Sequence, residues 1–330
     1  MSPNLPSDFK AALAALTEGA SGRDLATRAA RLSDLYRSGL GSRIAIACEA
    51  DALAYALVRA PATYAACIGA MTRLAERAPG FAPGSVLDAG SGVATASWAT
   101  CEVWDGIADV TLLDDSALFL DLAARLATAG PPSLMNAAGV RGDFSHAAAL
   151  APHDLVVASY ALTELADVRL GSAVEALWSR AGQVLLLLEP GTPAGWRRVL
   201  LCRDFLIKAG GVVIGPCPHA LACPLAPPDW CHFSQRLERS RGHRAAKGAT
   251  LSYEDEKYVW LAVARPAALA ALHLSPPAAR VLAPPGVAKA GVALKLCESD
   301  GQMRTRQAAK RDRAAFAAAK RLNWGDVLPG

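Results

Sequence analysis

The chain has 330 residues, of which 52% are hydrophobic and 19% charged, enough for one large domain with an appendage or for two domains. Much of the apolar content is alanine, and apolar runs such as that near 184–188 are far too short to cross a bilayer, so no membrane partner is expected. A net charge of +4 conceals two basic segments: residues 232–248 carry +4 and residues 301–321 carry +6, leaving the remainder at −6.

The N-terminus lacks the charged-then-apolar-then-small order of a secretion signal. Asp8, Glu18 and Asp24 argue against an acid-poor transit segment, so a cytoplasmic location is expected. In a reducing compartment, eight cysteines are thiols or ligands rather than disulfides. Residues 1–78 read as an N-terminal helical segment. Ser7 or Asp8 can cap its first helix, and Leu25, Ala29, Leu32 and Leu35 recur at helical spacing. A third helix over 47–58 is expected to stop before Pro61, with a fourth over 62–77.

From residue 85 the pattern becomes strand–helix alternation. Ser85-Val86-Leu87 is a short strand, and Asp88-Ala89-Gly90-Ser91-Gly92 is a glycine turn entering a helix, where a ligand can approach the backbone and exposed helix N–H groups. The spacing lacks the third glycine of a dinucleotide fingerprint, Ala94 standing in that region. The acid before the turn suits the amino-acid end of S-adenosylmethionine instead. A second strand, 110–113, ends in Asp114, placed to accept ribose hydroxyls. A third strand precedes Asp143, which can face an adenine amino group. A fourth ends at Ser159-Tyr160, a fifth covers 183–188, a sixth 212–214, and the last sheet strand is 257–264. Helices near 95–104, 117–129, 170–181 and 194–209 separate them. This alternation predicts an α/β Rossmann-like sheet with helices on both faces and ligands at the strand C-terminal ends.

The sixth strand leads into Pro216-Cys217-Pro218-His219, Cys223-Pro224 and Asp229-Trp230-Cys231-His232-Phe233: three cysteines and two histidines within 16 residues. Prolines beside the cysteines exclude an ordinary helix or inner strand. Soft sulfur ligands on a kinked loop suit zinc or an iron–sulfur centre, although three inert buried thiols would read the same way. Cys297 can complete a four-thiolate shell, and His219 and His232 can serve if the metal is zinc. Pro266, Pro276-Pro277 and Pro284-Pro285 break the chain; beyond them 292–296 and 303–307 predict an antiparallel pair around Asp300-Gly301, followed by a basic helix over 308–322. The basic segments suggest a polyanionic partner, most plausibly RNA, met by Arg236, Arg239, Arg241, Arg244 and Lys247 and by Arg304, Arg306, Lys310 and Arg311. A solvated helix face is the alternative.

In order, Asp-x-Gly-x-Gly, Ser-Tyr-Ala-Leu-Thr-Glu-Leu, Glu-Pro-Gly-Thr-Pro, Pro-Cys-Pro-His, Cys-Pro, Asp-Trp-Cys-His-Phe-Ser-Gln-Arg, Tyr-Glu-Asp-Glu-Lys and the closing Trp324-Gly325-Asp326 resemble the Rsm-type methyltransferase-like family of the small ribosomal subunit, whose mitochondrial members assist subunit assembly. The resemblance covers roughly residues 45–326. It implies a class I methyltransferase-like domain over 79–265, including the cysteine loop 215–233, and a basic C-terminal appendage over 266–330. It implies S-adenosylmethionine on Asp88, Gly90, Ser91, Gly92, Asp114, Asp143 and Ser159. It also implies a 4Fe-4S cluster (zinc being the alternative) on Cys217, Cys223, Cys231 and Cys297, and association with small-subunit rRNA by a protein monomeric off the ribosome. The Asn/Asp-Pro-Pro-aromatic motif of base N-methyltransferases is missing after strand four, and Cys217 follows strand six, too late for a C5-methylating nucleophile. An assembly factor that binds S-adenosylmethionine is therefore expected, with an active rRNA methyltransferase or a zinc-stabilised methyltransferase of unknown substrate as alternatives.

Overall fold

The computed structural model describes residues 3–37, 45–275 and 277–329. Among the described residues the chain opens with helices α1 (Ser7–Leu16), α2 (Gly22–Arg37) and α3 (Glu49–Arg77). Pro6 occupies the N-cap of α1, so Ser7 and Asp8 lie within its first turn and no side chain caps it. The expected break at Pro61 does not occur, and α3 runs unbroken through it. Eighteen of its 29 residues are buried, many of them alanines that let neighbours approach, and this packing outweighs the hydrogen bond that proline removes. By length and composition α3 could span a bilayer, but 78% of its apolar window is buried within the protein's own core.

The main sheet follows as β1 (Ser85–Ala89), α4 (Thr95–Val103), β2 (Asp109–Asp114), α5 (Ala117–Leu126), β3 (Ala138–Arg141), β4 (His153–Ser159), α6 (Asp167–Arg180), β5 (Ala181–Pro190), α7 (Pro193–Lys208), β6 (Val212–Gly215), β7 (Phe233–Glu238), α8 (Arg241–Lys247) and β8 (Tyr253–Ala264). Its order is β3-β2-β1-β4-β5-β8-β6. Strands β1 to β5 pair in parallel, whereas β8 runs antiparallel to both β5 and β6. This is the expected Rossmann-like, class I methyltransferase-like sheet. Successive residues serve opposite faces: Val184, Leu186 and Leu188 pack with Trp98, Phe119 and α3, while Leu185 and Leu187 pack with α6 and α7. Sequence order reverses beside β1, where β4 lies on its other side, so a crevice opens at the strand C-terminal ends.

Strand β8 begins at Tyr253, four residues earlier than the pattern predicts. Its first half carries Glu254, Asp255 and Glu256 in a ribbon with β7, a strand the sequence did not reveal. A second sheet contains β9 (Pro277–Val281), β10 (Gly286–Val287), β11 (Gly291–Glu298), β12 (Met303–Ala309) and β13 (Val327–Pro329), with α9 (Arg313–Arg321) against it. The expected β11–β12 pair is there, but β9 and β13 extend it on the other side of β11. Pro277 is tolerated because it is the first residue of its strand; its neighbour Pro276 lies outside the described residues.

Replacing Pro61 by alanine restores an amide donor inside a continuous helix. Pro61→Ala should raise stability by about 1–3 kcal/mol in urea denaturation; a loss of stability would show that the ring, rather than the helix around it, is what the core needs.

Candidate functional site

The crevice at the ends of β1, β2 and β4 is an open cleft of about 740 Å³. Gly90, Gly92, Asp114, Asp143 and Ser159 line it, together with Tyr55, Phe119, Tyr160 and Arg169, which the sequence reading did not single out as cofactor contacts. Gly90 has φ +69°, and a Cβ there would stand 2.4 Å from that of Ala161, so the turn needs glycine for both conformation and closeness. Ala94 also has positive φ but is buried in the core; its methyl group packs away from the cleft.

Asp114 accepts from the amides of Gly92 and Ser116, each at 2.8 Å. Burial raises its pKa to about 6. Asp143 is bound by Ser145, His146 and Arg169, and the Ser145 hydroxyl holds its carboxyl well below the usual range. Asp88 and Ser91 are placed differently from the reading that puts both on the cofactor: both are buried and neither lines the cleft. The Oδ2 atom of Asp88 accepts from the Ser97 amide (3.1 Å) and hydroxyl (2.7 Å), pinning the first turn of α4 behind the glycine turn. At the end of β4, Tyr160 adopts φ +59° and donates its hydroxyl to Glu256 at 2.9 Å. The Arg59 guanidinium lies 5.9 Å from the centre of its ring.

A second site lies between α7, the loop joining β6 to β7, and the second sheet. Cys217, Cys223, Cys231 and Cys297 all face one cavity of about 40 Å³. The first three come from the proline-rich loop; Cys297 comes from β11, opposite Arg280 on β9. The Trp230 indole donates to the Gly191 carbonyl at 3.0 Å, and Lys295 of β11 pairs with Asp229, so the loop is fastened to both sheets. Burial, then the neighbouring sulfurs, push Cys297 up to about 12 and Cys231 well above an ordinary thiol. Thiols raised in this way stay protonated unless a cation draws the protons off.

Among the described residues, no three Cys, His, Asp or Glu side chains stand close enough to hold one metal ion. His219 lines the cavity, its Nε2 atom 3.3 Å from the Cys297 sulfur. His232 does not; it stacks on Trp230 at 5.0 Å and meets Trp324 edge-on. Two arginines unanticipated from the sequence, Arg203 and Arg280, line the same cavity at 2% and 3% exposure. Their only signal is an arginine within an apolar helix, Leu200-Leu201-Cys202-Arg203, and within an apolar strand, Ala279-Arg280-Val281.

The basic residues separate into two groups. Arg236 pairs with Asp255 through two 2.8 Å hydrogen bonds, and Arg239 and Lys247 converge on Glu254. Arg304 and Arg306 both pair with Glu298. Arg244 is half-buried, and the side chain of Arg241 lies outside the described residues. Lys310 and Arg311 are exposed, as are Arg313, Lys320 and Arg321 on α9, and none of the five has an ion pair among the described residues.

Residues 49–329 match the family model described as mitochondrial small ribosomal subunit Rsm22. Human mitochondrial ribosome assembly protein METTL17 is 29% identical over 298 residues, covering 85% of this chain and 63% of its own length. Mitochondrial Rsm22-cox11 tandem protein 2 of Schizosaccharomyces pombe is 24% identical over 220 residues, covering 54% of this chain and 29% of its own. The chain thus spans less than two-thirds of either relative. Among solved structures, a putative RNA methyltransferase from Pyrococcus horikoshii superposes with TM-score 0.41 and 11% identity over 61% of this chain and 85% of that one. A magnesium protoporphyrin IX methyltransferase from Synechocystis with bound SAM gives 0.41 and 14% over 70% and 90%. Likeness at that level says nothing of what this chain binds. The mitochondrial family and relatives overturn the cytoplasmic expectation. Reduced thiols and an alanine-rich core are as compatible with a mitochondrial as with a cytoplasmic setting, so composition held no signal for the difference.

Burial raises the Asp88 carboxyl to about 7 and that of Glu189 to about 8, above the unfolded value near 4. The folded state keeps protons that the unfolded chain has released. Their contribution to stability is full below pH ~4 and is lost as pH rises through 7 and 8. The denaturation midpoint should therefore fall from pH 5 to 8.5, and Asp88→Asn or Glu189→Gln should each flatten that fall by up to about 3 kcal/mol. Parallel profiles for wild type and both variants would contradict the assignment.

Proposed function

This chain belongs to the Rsm22 family of the mitochondrial small ribosomal subunit, and from that premise we propose that it is an assembly factor for such a subunit, with a methyltransferase fold that binds S-adenosylmethionine and is stapled by an iron–sulfur cluster. The observation that carries this reading is the convergence of four thiols, from a loop of one sheet and a strand of the other, on a single cavity. Cys217, Cys223, Cys231 and Cys297 would hold the cluster, which when bound supplies a rigid inorganic cross-link between the sheets. An all-sulfur donor set suits an iron–sulfur centre, with zinc as the alternative.

The cleft would take S-adenosylmethionine with Asp114 toward the ribose, Gly90 and Gly92 against the amino-acid end, and Asp143 and Ser159 toward the base and methyl side. Asp88 acts behind them, by positioning the turn. Methyl transfer requires a nucleophile aligned on the sulfonium carbon. At the end of β4 the Tyr160 hydroxyl is committed to Glu256, and the Ser159 hydroxyl lies 3.4 Å from the Cys67 sulfur. Neither is free to orient an incoming base, which favours binding without turnover. RNA contact falls to the unpaired cations Lys310, Arg311, Arg313, Lys320 and Arg321. Arg236, Arg239, Lys247, Arg304 and Arg306 spend their charge on Glu254, Asp255 and Glu298.

Anaerobically purified protein, immature small subunits and methyl-labelled S-adenosylmethionine test this reading together. Expected are saturable cofactor binding, subunit binding and no label on RNA; efficient labelling of rRNA would establish the enzymatic alternative. A Lys310→Glu/Arg311→Glu variant should bind the subunit more weakly and lower the slope of log affinity against log salt by about 2. An unchanged slope would remove this segment from the interface.

A further inference from the structure

Arg203, on α7, and Arg280, on β9, approach the thiol cavity from opposite elements. A guanidinium keeps its charge at any pH a folded protein meets. An isolated buried charge is costly and is tolerated when paired. Yet Arg280 has no carboxylate within salt-bridge distance among the described residues. Its Nε atom donates to the Pro216 carbonyl at 2.7 Å and an Nη to that of Gly325 at 2.6 Å. Arg203 donates to the carbonyls of His219 and Leu221 at 2.9 and 2.8 Å, and its buried Nε atom has no partner. Its nearest carboxylate is Asp204, 3.8 Å away and 63% exposed, a weak pairing. Carbonyls satisfy donors but do not cancel charge. Two positive charges therefore face a cavity whose remaining polar side chains are four thiols, His219 and the indoles of Trp196 and Trp260, none of them a carboxylate.

We propose, resting on the four-thiolate reading above, that Arg203 and Arg280 are the counter-charges of the bound centre and select an occupant with two net negative charges. Four thiolates around an iron–sulfur core bearing two positive charges have that net charge, as do four thiolates around one zinc ion. The same guanidiniums tie the carbonyls of Pro216, His219 and Leu221, which flank Cys217 and lead towards Cys223. They couple the charge of the centre to the shape of its loop. They touch no reacting atom and act as positioning residues.

The test separates charge from hydrogen bonding. Arg203→Gln and Arg280→Gln remove the charge and keep a donor; Arg203→Lys and Arg280→Lys keep the charge on a different donor. Full-length proteins are purified anaerobically and challenged with EDTA, and the release of iron or zinc and the loss of visible absorbance are followed. Both glutamine variants should lose metal at least about tenfold faster than wild type, a modest share of what unpairing a buried charge costs. Both lysine variants should stay near wild type, and dithionite titration of the glutamine variants should place the centre's potential more negative. If lysine fares no better than glutamine at both positions, including by failure to fold, the arginines are struts and the inference is overturned. Wild type with zinc instead of iron leaves the charge comparison intact and refutes the cluster alone. Wild type with no metal overturns this inference and the reading beneath it.

Discussion

Two guanidiniums and four thiols share one buried cavity, and the rest of the structure depends on how that charge is settled. Around the two cations the cavity wall is largely apolar, formed by residues such as Trp196, Trp260 and Leu282. With the thiols deprotonated onto a metal centre, the same groups become mutually compensating. On the proposed reading folding and metal binding are linked, and the docked second sheet contributes one of the sulfurs and one of the cations.

That docking extends beyond the cavity. Arg280 holds the Gly325 carbonyl, while Arg73 of α3 holds the carbonyl of Trp324 and reaches the Tyr258 hydroxyl at 3.3 Å. The closing Trp324-Gly325 segment is thus gripped from both the metal site and the long core helix. Strand β8 makes a second connection. Trp260 and its neighbours form part of the cavity wall, and four residues earlier Glu256 holds Tyr160 at the edge of the nucleotide cleft. The two sites share one strand. The cleft is lined by polar and apolar surface in about equal measure, the cavity almost wholly by apolar surface.

Much of this was legible in the residues. Short continuous apolar runs and the glycine turn located the parallel strands, because strands buried on both faces are apolar nearly throughout. Three cysteines among prolines marked the loop whose thiols line one cavity. The fourth, Cys297, came from family resemblance and chain position, since nothing local marks a thiol on a strand as a ligand. Missed features have physical reasons. The break assigned at Pro61 ignored what a buried alanine-rich helix gains by packing. β7, β9 and β13 are short or begin at proline, and their pairing is set by partners remote in the chain. Arg203 and Arg280 were passed over because an arginine in an apolar run gives no sign of what its charge faces. Asp88 reads as a ligand from its place before the turn, yet burial and its two hydrogen bonds from Ser97 place it behind the cleft. Arg236 and Arg239 read as RNA contacts until the acids of β8 are seen beside them.

X-ray absorption spectroscopy at the iron and zinc edges, on anaerobically purified full-length protein, tests the central claim most directly. The account predicts iron in an all-sulfur environment with metal–metal scattering, retained in the wild type and lost when Cys297 is replaced by serine. A single zinc ion without metal–metal scattering, nitrogen in place of one sulfur, or an unchanged spectrum in the Cys297→Ser protein would contradict it.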